Sequence, residues 1–90
     1  MELIRAARLP MPESNVQLHG HEVDLLWREQ RLVVEIDGYA FHSSRSSFER
    51  DRRKDRELAA KGYRVIRVTW RQLTDEPTAV VATLAAALAA

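Results

Sequence analysis

Residues 21–37, HEVDLLWREQRLVVEID, predict two β-strands and the turn between them. Val, Leu, Ile and Trp, which favour strands, dominate residues 21–28 and 31–37, and polar residues separate the two runs. With residues 29–30 as the turn, the numbers of facing residues in an antiparallel pair sum to 59. A four-residue loop gives the same register. The turn lacks the usual Gly or Asn, so the pattern leaves its type open.

The side chains that this register brings together support it. On one face apolar residues meet three times, as the pairs Val23–Ile36, Leu25–Val34 and Trp27–Leu32. The other face carries one apolar and two acidic pairs, which are Leu26–Val33, Asp24–Glu35 and Glu22–Asp37. A shift of one residue would move every side chain to the wrong face, so the hydrophobic pattern predicts the register strongly.

The facing carboxylates predict a cation site. Like charges directly opposite on a sheet are destabilising, because facing Cβ atoms lie only about 5 Å apart. A divalent cation converts this repulsion into attraction, and carboxylate oxygens suit Mg²⁺ or Mn²⁺. Asp24 and Glu35, with the main-chain carbonyl of Ile36, are the predicted metal ligands, and such a metal could activate water against a phosphodiester. The alternative is that the acids reach solvent and pair with nearby arginines.

The remaining segments predict one α/β (α+β) domain, residues 1–90, with the order α-β-β-β-α-β-α. The further elements are a helix at 2–8 ended by prolines, a strand at 15–19 before a turn at Gly20, a helix at 46–61 between a Ser43/Ser44 N-cap and Gly62, a strand at 63–70, and a helix at about 78–89 introduced by residues 74–77. We expect a mixed four-stranded sheet, a right-handed crossover through the long helix, and helices on both faces.

Composition narrows the function classes. The 90 residues are 46% hydrophobic and 30% charged, which is typical of a globular domain rather than a disordered tail. There is no cysteine, so disulfides and thiolate metal sites are excluded and a cytoplasmic location is expected. The longest apolar run, 79–90, is too short and too rich in alanine to span a bilayer, so no membrane partner is expected. It could pack on the sheet or in a homo-oligomer.

A basic segment adjoins the predicted acidic site. The net charge is only +1, yet five cations fall within ten residues, at Arg45, Arg50, Arg52, Arg53 and Lys54. A local basic patch lets a weakly charged protein hold a polyanion beside a metal site. The candidates for contact with the phosphate backbone of DNA are Arg45, Arg50, Arg53 and Lys54. The alternative is a solvated helix face with i,i+4 pairs such as Glu49–Arg53.

Six blocks of the sequence resemble a known family. They are EVDLLW (22–27), LVVEIDGY (32–39), FH (41–42), FERDRR (48–53), GYRV (62–65) and TW (69–70). They resemble the restriction-endonuclease-like proteins related to very-short-patch-repair endonucleases, and the resemblance extends over most of the chain, from about Leu9 to Leu88. The resemblance implies a PD-(D/E)xK-type core and a Mg²⁺- or Mn²⁺-dependent endonuclease that hydrolyses DNA phosphodiester bonds.

The resemblance also implies roles for individual residues. Asp24 matches the family's first metal-binding aspartate, and Glu35 matches its second acidic position. Asp37 stands where the classical motif carries lysine, so the group that orients the attacking water is left open. His42 matches a histidine used near the scissile phosphate and would act as acid, base or phosphate contact. Without the resemblance, a lone histidine after a strand is more often structural than catalytic.

One departure from the family bears on catalysis. Relatives carry a glutamate on a longer first helix that completes the metal environment, whereas Glu2 is the only acid here and looks too close to Leu9-Pro10 to match. We therefore expect Met1 to begin a truncated or excised domain, because relatives are often the C-terminal part of a larger protein with a DNA-binding region ahead of it. A non-catalytic nucleic-acid-binding module and a small dimerising domain are the alternative functions.

Two further residue pairs invite a functional interpretation. His19 and His21 flank Gly20, but no third metal ligand is evident, so we expect edge or surface positions. Trp27 and Trp70 are expected to pack in the core or on the sheet rather than to stack on nucleic-acid bases.

Overall fold

The computed structural model describes residues 1–38 and 44–90, which form four helices and one four-stranded sheet. In chain order the elements are α1 (Glu2–Ala6), β1 (Glu13–Leu18), β2 (His21–Trp27), β3 (Leu32–Asp37), α2 (Arg45–Ala60), β4 (Arg64–Thr69), α3 (Trp70–Asp75) and α4 (Pro77–Ala89). The sheet order is β1-β2-β3-β4, antiparallel except for the parallel pair β3–β4. The predicted mixed sheet and element order are confirmed, and α3 is an addition.

The predicted register of β2 and β3 is confirmed over three pairs, which are Leu25–Val34, Leu26–Val33 and Trp27–Leu32. A four-residue loop at 28–31 joins the strands, and the Arg31 N–H donates to the Arg28 carbonyl at 3.2 Å. Arg31 takes a φ of 53°, which substitutes for the missing Gly or Asn of the turn. At the other end of β2, a two-residue turn has positive φ at both His19 and Gly20, as a type I′ hairpin requires.

Helices cover both faces of the sheet. The face toward α2 buries Leu18, Val23, Leu26, Val33 and Leu58. The face toward α1 and α4 buries Ile4, Leu25, Trp27, Leu32, Val34, Val68, Val80 and Leu84. Each fully buried aliphatic side chain stabilises the fold by about 1.5–3 kcal/mol relative to exposure, so these two layers hold the sheet in place. The expectation that Trp27 lies in the core is confirmed: it is 3% exposed, and its indole N–H donates to the Pro10 carbonyl at 2.7 Å.

The alternation of side chains in β2 breaks at Asp24. The sequence pattern places Val23 on the face of Leu25, but Val23 packs instead with Leu26 and Val33 beneath α2. Opposite Asp24, Asn15 of β1 has a φ of 50°, and the regular pairs on either side are Ser14–Leu25 and Val16–Val23. A left-handed residue in one strand changes the local twist and interrupts strict alternation. The predicted Val23–Ile36 contact was therefore wrong.

Trp70 corrects a second expectation. It is half exposed rather than packed in the core. Thr69 ends β4 and caps α3: its hydroxyl accepts the Gln72 N–H at 3.0 Å, while the Gln72 side chain accepts the Thr69 N–H. This capping box turns the chain into a helix one residue before the predicted strand end. In a continued strand, Trp70 would lie on the same face as Val68, which packs toward α4. The turn into α3 removes Trp70 from that face.

The long helix begins and ends as the sequence predicts. The Ser44 hydroxyl caps α2 by accepting the Ser47 N–H at 3.0 Å, and Gly62 follows the helix with a φ of 91°. Pro77 starts α4 at its first turn. Over the described residues, the helices are all too short or too polar to cross a membrane.

Candidate active site

The predicted acidic pair lies where the pairing of β2 and β3 ends. The Glu35 Oε2 accepts the Asp24 N–H at 2.9 Å, and the Asp24 Oδ2 accepts the Ile36 N–H at 2.7 Å. Each carboxylate thus replaces a main-chain carbonyl of the opposite strand as a hydrogen-bond acceptor. These charge-assisted bonds reduce the repulsion between the two acids and fix both side chains to the backbone.

Lys54 of α2 neutralises one member of the pair. Its ammonium group forms an ion pair with Glu35 and donates to the Glu22 carbonyl at 2.6 Å. The Glu35 side chain is 6% exposed and the Lys54 side chain 20%. Within residues 1–38 and 44–90, Glu35 is the only buried charged residue. A buried carboxylate needs a partner, so Lys54 is part of this site rather than of the exposed basic surface.

Arg67 of β4 forms the second ionic centre beside the pair. It faces Glu35 in the parallel register, and its guanidinium binds Asp55 of α2 through two bonds of 2.7 and 3.0 Å. It also binds Asp37 at 2.9 Å, and Asp51 lies 3.8 Å away. The hydrogen bonds that Arg67 donates to Asp55 are the main cause that raises the pKa of Arg67 above its ordinary value. Arg67 therefore carries a fixed positive charge at the end of β3.

The second predicted acidic pair does not form. The regular pairing of β2 with β3 extends only as far as Leu25–Val34. Beyond it Glu22 pairs with Gln17 in β1, and Asp37 pairs with Thr69 in β4. Because both carboxylates of the first pair occupy N–H groups between the strands, the ladder does not continue to Glu22 and Asp37. The Asp37 carboxylate is bound by Arg67 instead of facing another acid.

The donor set fits part of a magnesium shell. Among the described residues, no three acidic or histidine side chains converge on one point. Mg²⁺ is nevertheless often held by one or two carboxylates, with waters and substrate phosphate filling the remaining positions. In the described part of the chain, the Asp24 carboxylate receives only the Ile36 N–H, through one oxygen. By the chemistry of their donors, Asp24 and Glu35 suit a two-carboxylate site, in which the cation would compete with Lys54 for Glu35.

The predicted DNA-contacting residues divide into two groups. Arg45, Arg50 and Arg53 are exposed and line an open concavity near the start of α2, together with Ser44, Ser46 and Glu49. Lys54 points to the acidic pair instead. Arg52 adds to the exposed charge and lies over the Phe48 ring at 5.3 Å. Three of the four candidates therefore form a basic surface that a polyanion can reach.

The three histidines named from the sequence lie apart from the acidic pair or outside the described residues. His42 lies outside the described residues. His19 is exposed with its ring 5.7 Å from that of Tyr63, and His21 contacts Glu57 at 2.8 Å. Both histidines therefore occupy the surface or edge positions that the sequence predicts.

Comparison with known proteins identifies the family. The sequence model of the restriction-endonuclease-like family REase_MTES_1575 matches residues 2–88. The chain belongs to this family. The match spans both carboxylates of the acidic pair and the whole of α2. It confirms the restriction-endonuclease-like identification made from the sequence blocks.

One solved structure shares the fold, and two sequence relatives leave the activity open. The catalytic domain of the homing endonuclease I-Bth0305I superposes with a TM-score of 0.78 at 23% identity, covering 96% of this chain and 85% of that one. The uncharacterized proteins MT2308 and Rv2248 of Mycobacterium tuberculosis are each 27% identical over 82 residues, 86% of this chain. This chain spans only 30% of the length of those two proteins.

The sequence did not predict the ionic partners of the acids: Arg67 was not named, and Lys54 was assigned to DNA contact. Lys54 and Arg67 both lie far from Glu35 along the chain. Ion pairs between separate helices and strands leave no periodic signal in the sequence. One local signal was available for Arg67: in a strand at 63–70 it shares a face with Tyr63 and Val65, both of which pack under α2. A charged residue at the end of such a buried face implies a partner.

Proposed function

We propose that this chain is a Mg²⁺- or Mn²⁺-dependent DNA endonuclease domain, of the type found in very-short-patch-repair endonucleases. The observation that carries the proposal is the acidic pair: two carboxylates fixed to opposing strands where the sheet opens, one of them neutralised by Lys54. Structural sheets rarely place like charges opposite one another, because the arrangement is destabilising without a cation. Membership of a restriction-endonuclease-like family supports the same chemistry.

The proposed metal ligands are Asp24, Glu35 and the Ile36 carbonyl. A divalent cation, when bound, would polarise the phosphodiester and lower the pKa of a coordinated water. The residues of this chain orient the metal ligands. The backbone N–H groups of Asp24 and Ile36 hold the two carboxylates in place, as ligand-orienting bonds do in metal sites.

Lys54 is our candidate for the cation that the classical motif supplies two residues after the second acid. That position holds Asp37, which is bound by Arg67 and is therefore a positioning residue rather than a water-orienting base. Lys54 approaches Glu35 from α2, so its ammonium group can donate to a water or phosphate oxygen once Glu35 turns to another partner. The guanidinium groups of Arg45, Arg50 and Arg53 would hold the phosphate backbone. His42 remains a proposed contact of the scissile phosphate.

A nicking assay tests the proposal. Supercoiled plasmid is incubated with the protein in Mg²⁺, in Mn²⁺ and in excess chelator, and each reaction is repeated with Asp24→Asn. Glu57→Gln is the matched control, because Glu57 is a carboxylate on α2 that pairs with His21 outside the site. We expect metal-dependent nicking by the parent and by Glu57→Gln, and none by Asp24→Asn. Equal nicking by Asp24→Asn would attribute the activity to a contaminant and overturn the proposal.

The non-catalytic alternative rests on one observation. The ion pair between Lys54 and Glu35 satisfies the buried carboxylate without any metal. A domain in which that pair never opens would bind nucleic acid through α2 and leave it intact. Plasmid retardation in a gel that persists in chelator, together with no nicking in either metal, would favour this function.

A further inference from the structure

A pocket beside Asp24 extends past the proposed metal ligands to Ser14, Asn15 and Trp70. It measures about 330 Å³ and is lined by Ser14, Asn15, Asp24, Leu25, Ile36 and Trp70. This volume lies at the lower end of the range for small-ligand sites, about 300–1,000 Å³. The cations Lys54 and Arg67 are not among its lining residues. The pocket thus combines an aromatic ring, a hydroxyl, an amide and a single carboxylate.

Two features prepare Trp70 to bind a ligand. The side chain is 50% exposed, whereas Trp27 is 3% exposed, so the indole of Trp70 is available to a second flat group. Its backbone is also held firmly, because the capping box of Thr69 and Gln72 fixes the first turn of α3 and the Thr74 hydroxyl donates to the Trp70 carbonyl at 2.9 Å. A rigid, exposed aromatic side chain loses little conformational entropy on binding.

The polar wall of the pocket fits the edge of a planar, uncharged ring. Asn15 has a φ of 50° in the middle of β1, and this strained backbone brings its amide to the gap opposite Asp24. An amide and a hydroxyl each offer a donor and an acceptor, which matches the mixed edge of a nucleobase. Apart from the proposed metal ligands Asp24 and Ile36, the lining offers uncharged polar and aromatic groups and no cationic side chain, which favours a base over a second phosphate.

We propose that the pocket binds one unpaired nucleobase, stacked on Trp70, next to the phosphodiester presented to Asp24. Bases within a duplex are covered on both faces by their neighbours, so only an extruded base, a single strand or a frayed end can present a face to the indole. The inference rests on the proposed function in that the ligand is nucleic acid. It adds a preference of the domain for unpaired DNA at the site of cleavage.

Tryptophan fluorescence and binding in chelator test this preference without any cleavage. The 90-residue protein is titrated with a 12-nucleotide single strand of mixed sequence and, separately, with a fully paired hairpin of similar length. We expect the single strand to quench the emission of Trp70, and Trp70→Leu to lose the quenching while the buried Trp27 still emits. Trp70→Ala is expected to weaken single-strand binding about 5- to 150-fold, the range for loss of one stacked base, and hairpin binding far less.

Two further variants keep the test decisive. Trp70→Phe retains a ring and should keep most of the single-strand affinity, which excludes loss of folding as the cause. Phe48→Leu removes an exposed ring on α2, outside the pocket, and should leave the ratio of single-strand to hairpin affinity unchanged. Equal weakening of both DNAs by Trp70→Ala, an unchanged affinity, or no binding of the single strand would overturn the inference. Quenching without plasmid nicking would leave it standing and would remove only the catalytic proposal.

Discussion

Lys54→Met probes how strongly the acidic pair depends on its cation. Methionine keeps the length of the side chain and removes its charge, which leaves the buried Glu35 carboxylate with the Asp24 N–H as its described hydrogen-bond donor. Breaking a buried ion pair on one side costs about 3–5 kcal/mol. The Lys54 side chain is 20% exposed and water can partly replace it, so we expect a loss near the lower limit, about 3 kcal/mol.

Urea denaturation measures this loss as a change in the free energy of unfolding. Glu35→Gln/Lys54→Met removes both charges, and we expect it to be more stable than Lys54→Met alone, because no ionised group is then left buried without a partner. Two results would show that the ion pair is not a major element of the site. One is a double variant whose loss of stability equals the sum of the two single losses, and the other is a cost of Lys54→Met below about 1 kcal/mol.

Magnesium provides a second arm of the same experiment. If a cation and Lys54 compete for Glu35, Mg²⁺ should stabilise Lys54→Met more than it stabilises the parent protein. A ligand at one hundred times its dissociation constant adds about 2.7 kcal/mol. Combining Lys54→Met with Asp24→Asn should abolish the gain. An equal gain in the presence and absence of Asp24 would place the cation elsewhere on the protein.

Three further predictions concern the packing, the basic surface and the response to acid. Leu58→Ala removes a buried contact of α2 with the sheet and should cost about 2–5 kcal/mol in urea; a cost below 1 kcal/mol would contradict that role. Arg53→Gln should reduce the slope of log affinity for duplex DNA against log salt by about 1, whereas Lys61→Gln, at the far end of α2, should not. Hydrogen bonding by Arg28 lowers the pKa of Glu13, so its stabilising effect is complete above the ordinary value of about 4.3 and is lost as pH falls through the lower folded value. Glu13→Gln should therefore show a smaller fall in Tm than the parent protein between about pH 5 and about pH 3.

The sheet was largely predictable because its signals are local. Alternation in residues 21–37 admits one register, and the structure adopts it at Leu25–Val34, Leu26–Val33 and Trp27–Leu32. Caps and breakers such as Ser44, Gly62 and Pro77 fixed helix ends for the same reason: each acts on the backbone within a few residues of itself.

Local signals failed where a neighbouring strand or a cap changed the pattern. Val23 left its predicted face next to the point where Asn15 of the neighbouring strand adopts a left-handed conformation opposite Asp24. Trp70 left the predicted strand because the capping box of Thr69 and Gln72 favoured a helix. Both changes lie beside Asp24, and Asn15 and Trp70 line the same pocket there.

Residues 21–37 alone place Asp24 and Glu35 on neighbouring strands, since a period of two and a short turn leave no other register. The groups that surround the two acids depend on tertiary packing. Lys54 reaches Glu35 because the crossover helix α2 packs on that face through Leu58, and Arg67 meets Asp37 because β3 and β4 run parallel. Charge interactions depend on distance in space rather than along the chain, so the ionic partners of the acids became visible only once the sheet and its helices were assembled.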